Sequence, residues 1–374
     1  MRVGTVRERK DGENRVALTP EAVYALVSAG SEVVLEASAG VGAGYGDAAY
    51  TAVGGTVVAD ASAVWSTSDL VVKVKEPVPA EYDQLVRRDP PPTLFTYLHL
   101  AADHPLTEQL LASGWTTLAY ELVARPDGSL PLLAPMSQVA GHMAAEVGAG
   151  LLKQPGPGKG KLLGGIAGVA AGKVVILGSG SVATAAVRVL LGSEARIVVM
   201  SRDLARLSYL QEHFGGRITT RTSSPQSVAE ELEDADLVIL AVLVPGATAP
   251  RVVTREMLRR MEPGGVLVDV SIDQGGAAET SRPTTHSDPT YVEEGIVHYC
   301  VTNMPGAVPH TSTLSLASAT LPYIETLAAL GTEAALAADQ DLARALSTYA
   351  GRLTSAPVAT ALGLDAAPNP FLAG

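Results

Sequence analysis

Val174-Val-Ile-Leu-Gly178-Ser-Gly180-Ser-Val-Ala183 is an apolar run that meets two glycines and then becomes helical. A buried strand entering a tight turn and a helix reads as the first βα unit of a dinucleotide-binding fold. Gly178 makes the turn, Gly180 lets backbone approach a pyrophosphate, and the small Ala183 allows close helix–strand packing. The backbone N–H groups of Ser181, Val182 and Ala183, at the start of the helix, then face the phosphates. A tight turn that binds nothing would look similar, but a second strand, Ala195–Met200, ends where a ribose-reading residue belongs. There the chain carries Ser201 and Arg202, with Arg206 one turn on, instead of a carboxylate. A carboxylate would repel a 2′-phosphate, whereas guanidinium groups bind one bidentately, so the cofactor reads as NAD(P)(H) with NADP(H) slightly favoured.

Outward from this unit, strand and helix signals alternate. After Lys173 the pattern continues through Leu204–Phe214, Ile218–Arg221, Ser227–Leu232, Asp236–Ala241, Val266–Val270 and His298–Val301. Before it, Arg2–Arg7, Glu32–Leu35, Thr56–Val58, Asp69–Lys75, Leu94–Leu98 and Thr116–Tyr120 read as strands, with Thr19-Pro20-Glu21 opening a capped helix. Met136–Lys153 reads as one long helix, and Gln154–Gly160, rich in Pro and Gly, as the most flexible segment. Ser312–Gly331 and Glu333–Tyr349 read as closing helices, too few to form a core alone. The expected fold is α/β: two Rossmann-like domains with mostly parallel sheets, the first discontinuous and completed by C-terminal helices. Its boundaries are residues 1–134 and 306–374 for a substrate domain, and 135–305 for the dinucleotide domain.

The 374 residues carry 27 Lys plus Arg against 39 Asp plus Glu, a net charge of −12. That balance argues against nucleic acid or an anionic membrane as the principal partner. A single cysteine, Cys300, excludes an internal disulfide framework, and no His/Cys/Asp/Glu cluster has metal-ligand spacing. The charged N-terminus and the short apolar runs predict a cytoplasmic protein.

Four segments set a charged group near an expected strand end: Glu13-Asn-Arg15, Val72-Lys73-Val-Lys75-Glu76, Tyr97-Leu-His99 and Asp269-Val-Ser-Ile-Asp273. Ligands collect at strand ends in such sheets, cations suit a carboxylate, and an imidazole moves protons near neutral pH. Spacing alone leaves Lys73 and Lys75 interchangeable.

With these segments the chain closely resembles the alanine dehydrogenase family, which shares its fold with the nucleotide-binding subunit of proton-translocating transhydrogenase. The likeness runs from about residue 1 to about 355. It is carried by ENRVALTP, VKVKEP, LHLAA, LPLLAPMS, AVLVPGA, VDVSIDQGG, ETSRPTTH, HYCVTNMPGAVP and TSTLSLASATLPY. The resemblance implies that Arg15 and Lys75 hold the substrate carboxylate and keto oxygen, with His99 the general acid/base and Asp273 beside it. Met136 and Tyr97 match substrate-side positions, while Ser137, Ser223, Val242, Leu243, Asn303 and Met304 match positions lining the dinucleotide. It implies a homo-oligomer, a hexamer built from dimers. His104, His142, His213, His286 and His298 read as structural, and Cys300 as a small buried hydrophobe.

Some positions depart from the family pattern. Ala277 and Ala278 replace larger side chains, an apparent enlargement of the pocket, and Tyr97 stands where Phe is common, an added polar group. The favoured reading is interconversion of an L-amino acid, L-alanine foremost, with its 2-oxo acid and ammonia through an imine. Two readings stay beside it: an NADPH-dependent imine or oxo-acid reductase for a bulkier substrate, and a dinucleotide-binding transhydrogenase-like component.

Overall fold

The computed structural model describes residues 1–244 and 248–372; positions 245–247, the end of the AVLVPGA motif, lie outside the described residues. Fifteen strands are described. The first six are β1 (Arg2–Thr5), β2 (Glu32–Glu36), β3 (Thr56–Val58), β4 (Leu70–Val72), β5 (Thr93–Thr96) and β6 (Thr116–Ala119). Then come β7 (Lys173–Leu177), β8 (Arg196–Ser201), β9 (Thr219–Thr222), β10 (Leu237–Leu240), β11 (Val266–Asp269), β12 (Thr290–Glu293) and β13 (Ile296–Tyr299). The last two are β14 (Leu346–Tyr349) and β15 (Arg352–Leu353).

These build two sheets, ordered β15-β14-β6-β5-β4-β1-β2-β3 and β12-β13-β11-β10-β7-β8-β9. In each, six strands are parallel and follow one doubly wound order, reversing beside the first strand: between β1 and β4, and between β7 and β10. Such reversal points open a crevice at the carboxyl ends of the strands. Met1–Met136 with Gly306–Gly374 form one compact unit, and Ser137–Val244 with Thr248–Pro305 the other.

The second sheet is buried on both faces, as its uninterrupted apolar strands require. Val174, Ile176, Ile197 and Val199 enter one core, and Val175, Leu177, Val198 and Met200 the opposite one. The long helix is Ala134–Leu151. Gln154–Gly160 is anchored: Lys159 N donates to the Gly264 carbonyl, and its ammonium pairs with Asp236 and Glu262 at 2.6 and 2.8 Å.

The expected helix over Glu333–Tyr349 is corrected. It breaks at Asp339, whose carboxylate caps a new helix, Gln340–Arg344. The chain then extends as β14, antiparallel to β6. The first sheet is therefore completed by strands as well as helices. Ala277 and Ala278 are corrected too: both are fully buried in the core beside Val253, so their small size sets packing and enlarges no pocket.

Candidate active site

In the first unit the carboxyl ends of β4, β5 and β6 and the loop after β1 carry the charged residues. Arg15 is buried, held in a bidentate pair by Glu13, with Nη1 3.0 Å from Met136 Sδ. Burial opposes its charge, but the paired Glu13 outweighs that and holds the guanidinium above its ordinary value. The pair fixes the plane of the guanidinium, as fork-to-carboxylate bonding does.

Lys73 and Lys75, equivalent by spacing, are separated by their surroundings. Lys73 is fully buried between Glu81 at 2.8 Å and Glu8 at 3.3 Å. Lys75 Nζ lies 5.9 Å from the centre of the Tyr97 ring, and among the described residues no carboxylate is within ion-pair distance of it. Glu8 also accepts from the backbone N–H of Val74 at 2.7 Å. Burial pushes this carboxyl up to about 7 against the pull of Lys73.

Tyr97 and His99 stack with rings 5.9 Å apart and 8° from parallel. The Tyr97 hydroxyl donates to the Leu132 carbonyl at 2.6 Å, so it is consumed internally and adds no free polar group, which corrects that expectation. His99 has a left-handed backbone, φ 49°, and its side chain keeps 21% exposure. Glu121, just past β6, accepts from the N–H of His99 at 2.7 Å and from that of Leu98 at 3.2 Å. Glu76 pairs with Lys10, and its other oxygen is buried with no hydrogen-bond partner. Burial alone would raise the Glu76 carboxyl; the positive charges of Lys75, His99 and Lys10 overcome it and bring it to about 2. Thus Arg15, Lys75, Tyr97, His99 and Met136 form one group in this unit.

Four carboxylates around that group, Glu8, Glu13, Glu76 and Glu121, were not expected as part of it. Glu13 and Glu76 stood inside the quoted motifs. Glu121 carried a weaker signal, a carboxylate at the carboxyl end of a parallel strand.

In the second unit Gly178 has φ 126°, and a Cβ there would lie 2.2 Å from the Ala241 carbonyl oxygen. Glycine is thus demanded by the close approach of β7 and β10 ends. At Gly180 an added Cβ would meet nothing within 4 Å, so no protein atom requires its smallness. The helix Ser181–Gly192 starts there without a side-chain cap, its first N–H groups open; Ala183 is fully buried against the sheet. An uncapped helix N-terminus with open space over a glycine fits a dinucleotide pyrophosphate.

Ser201 accepts from Ser179 Oγ at 2.9 Å, and its carbonyl accepts from the N–H of Ser223. Arg202 is exposed, while Arg206 donates through Nε and Nη2 to the Ser179 carbonyl and lies over the Tyr209 ring. Asp203, the nearest carboxylate after β8, caps the following helix. Val242 N donates to Ser271 Oγ at 3.1 Å, and Leu243 is 43% exposed. Asp273 is exposed and accepts from Asn303 N at 3.0 Å; Met304 is buried in the core. Asp269, also in the quoted segment, is internal: it accepts from Ser271 N, Ala277 N and Ser281 Oγ and staples the Gly275–Gly276 turn. Ser137 opens this unit within the long helix. His298 bonds Thr280 and the Ile296 carbonyl, a structural histidine, and Cys300 is buried.

Two family models match in tandem, the alanine dehydrogenase/PNT N-terminal domain over residues 4–140 and the C-terminal domain over 144–356. The chain belongs to the alanine dehydrogenase/PNT family. An alanine dehydrogenase of Halomonas elongata is 48% identical over 365 residues, 98% of each chain. The solved structure of an L-alanine dehydrogenase superposes with a TM-score of 0.90 at 46% identity, covering 97% of this chain and 99% of that one. A transhydrogenase from Sinorhizobium meliloti gives 0.78 at 25% identity, over 94% and 98%. Within the family, this chain matches the alanine dehydrogenases more closely than the transhydrogenase. Among the described residues no helix is long and apolar enough to cross a membrane, and no group of His, Cys, Asp or Glu could hold a metal ion.

Proposed function

We propose that this chain is an alanine dehydrogenase, an oxidoreductase that interconverts L-alanine with pyruvate and ammonia using a nicotinamide dinucleotide. The observation that carries the reading is its near-full-length likeness to alanine dehydrogenases, joined to the grouping of Arg15, Lys75 and His99 in one unit.

In this reading the first unit binds the substrate and the second the dinucleotide. Gly178, Gly180 and the helix start at Ser181, Val182 and Ala183 would hold the pyrophosphate, with Ser201 and Ser223 at the ribose. Ser137, Val242, Leu243, Asn303 and Met304 would line the remainder. When bound, the nicotinamide supplies a hydride acceptor or donor. Arg15, its plane fixed by Glu13, and Lys75 attract the substrate carboxylate and orient it, with Met136 beside the methyl group. His99 moves protons. In the oxidative direction its Nε2, the ring nitrogen opposite the one nearest Glu121, takes a proton from the alanine ammonium and releases it to solvent; it then takes one from the water that attacks the imine and returns it to the nitrogen that leaves as ammonia. Asp273 orients the reacting carbon.

The finer cofactor choice is NADPH over NADH. Its support is Ser201 in place of a carboxylate and the exposed Arg202; Arg206, committed to Ser179, contributes mainly to the turn. The assembly is a hexamer, measurable by light scattering.

Initial rates with pyruvate and bulkier oxo acids, with ammonia and each reduced cofactor, test the reading together. Pyruvate is expected to be strongly preferred, with a higher kcat/KM for NADPH. A bulky oxo acid as best substrate would overturn the alanine assignment. His99→Ala is expected to abolish turnover.

A further inference from the structure

The base proposed above needs a fixed position, and its own backbone does not favour one. A histidine at φ 49° occupies a sparsely populated conformation that persists only where neighbours over-determine it. One group supplies that determination. Glu121 Oε1 lies 2.7 Å from His99 N and 4.0 Å from His99 Nδ1, and Oε2 lies 3.2 Å from Leu98 N. The carboxylate thus spans two successive N–H groups and leaves its charge beside the ring. On the other side the ring rests on Tyr97.

We propose that Glu121 is a positioning residue for His99, holding the left-handed turn through the two N–H groups and placing a negative charge against Nδ1 so that Nε2 faces the substrate. This rests on the reading of His99 as the base. The charged and titratable groups around the ring are Glu121 from the segment after β6, Glu76 and Lys75 from the segment after β4, and Tyr97 on its own segment. Glu76 has a different task. It is tied to Lys10, and no hydrogen bond links it to the segment that carries His99.

The test compares Glu121→Gln, which keeps an acceptor oxygen but no charge, with Glu121→Ala, which keeps neither. Glu121→Gln is expected to hold kcat within about tenfold of wild type, while Glu121→Ala loses about 10²-fold, the effect of misplacing a catalytic group by roughly 1 Å. KM for pyruvate is expected to stay within about threefold in both, because Arg15 and Lys75 are untouched. The imidazole of His99 is followed by NMR at fixed pH, its signals assigned by loss in His99→Ala. In Glu121→Gln the ring signals are expected to move, since the carboxylate charge beside Nδ1 is lost. Wild-type ring signals in Glu121→Gln, or wild-type kcat in Glu121→Ala, overturn the proposal. Should Glu121→Ala fail to fold, Glu121→Gln decides it alone. An active wild type with an active His99→Ala overturns the base assignment instead, and the NMR readout still reports on the contact.

Discussion

Lys73 and Lys75 are two residues apart and chemically alike, yet the fold gives them opposite work. Lys73 neutralises Glu8 and Glu81 where water cannot reach. Breaking a buried pair leaves uncompensated charge and costs about 3–5 kcal/mol. Lys73→Met is therefore expected to lower the melting temperature sharply. Lys75→Met removes an ammonium that no carboxylate pairs among the described residues, so the melting temperature is expected to fall less than in Lys73→Met while kcat/KM for pyruvate falls about 10²-fold or more. Thermal melts and initial rates on both variants check the contrast. Glu76 extends it to pH. Its carboxyl is depressed from 4.5 to about 2, so the folded state holds fewer protons than the unfolded one between those values. The stability it contributes is complete above pH 4.5 and lost as pH falls towards 2, about 3 kcal/mol at most and less for its partial exposure. Urea unfolding at pH 7 and pH 3.5 is expected to show a smaller loss in Glu76→Gln than in wild type.

At the scale of elements, the long helix Ala134–Leu151 packs on the helix Ser181–Gly192 through Gly141, where a Cβ would stand 2.3 Å from the Val182 carbonyl oxygen. Neither backbone can yield cheaply. Gly141→Ala is expected to displace the first turn of the second helix, raising KM for the dinucleotide several-fold with a smaller effect on KM for pyruvate. Initial rates with each substrate varied in turn separate the two. The parallel strands and their helices were readable because each βα unit carries its own periodicity and punctuation, as in the run from Val174 to Ala183. β14 was not: Leu346–Tyr349 follows helices without a glycine or proline break, and its partner Leu118 is more than two hundred positions away. The site divides likewise. Arg15, Lys75 and His99 stood in motifs, whereas the part of Glu121 depends on β5 and β6 being neighbours, a relation no local pattern states.

For the whole molecule, the acidic total describes the chain and conceals where its cations sit. Arg15, Lys73 and Lys75 are among its most buried charges, the first two paired with carboxylates and the third lying beside the Tyr97 ring. Two sheets of one strand order thus differ at their reversal points, one lined by charged side chains, the other by glycine and open backbone.

The antiparallel strand β14 carries a further consequence for how the chain is born. A ribosome releases β1–β6 first, then the entire second unit, and only afterwards the strand that covers β6. Until then β6 is a bare edge able to pair with another chain. The second unit can close as soon as its own residues emerge, while the first waits with an uncovered strand through the synthesis of its neighbour. The unit that carries Arg15, Lys75 and His99 therefore matures last, although all three lie in the first hundred positions.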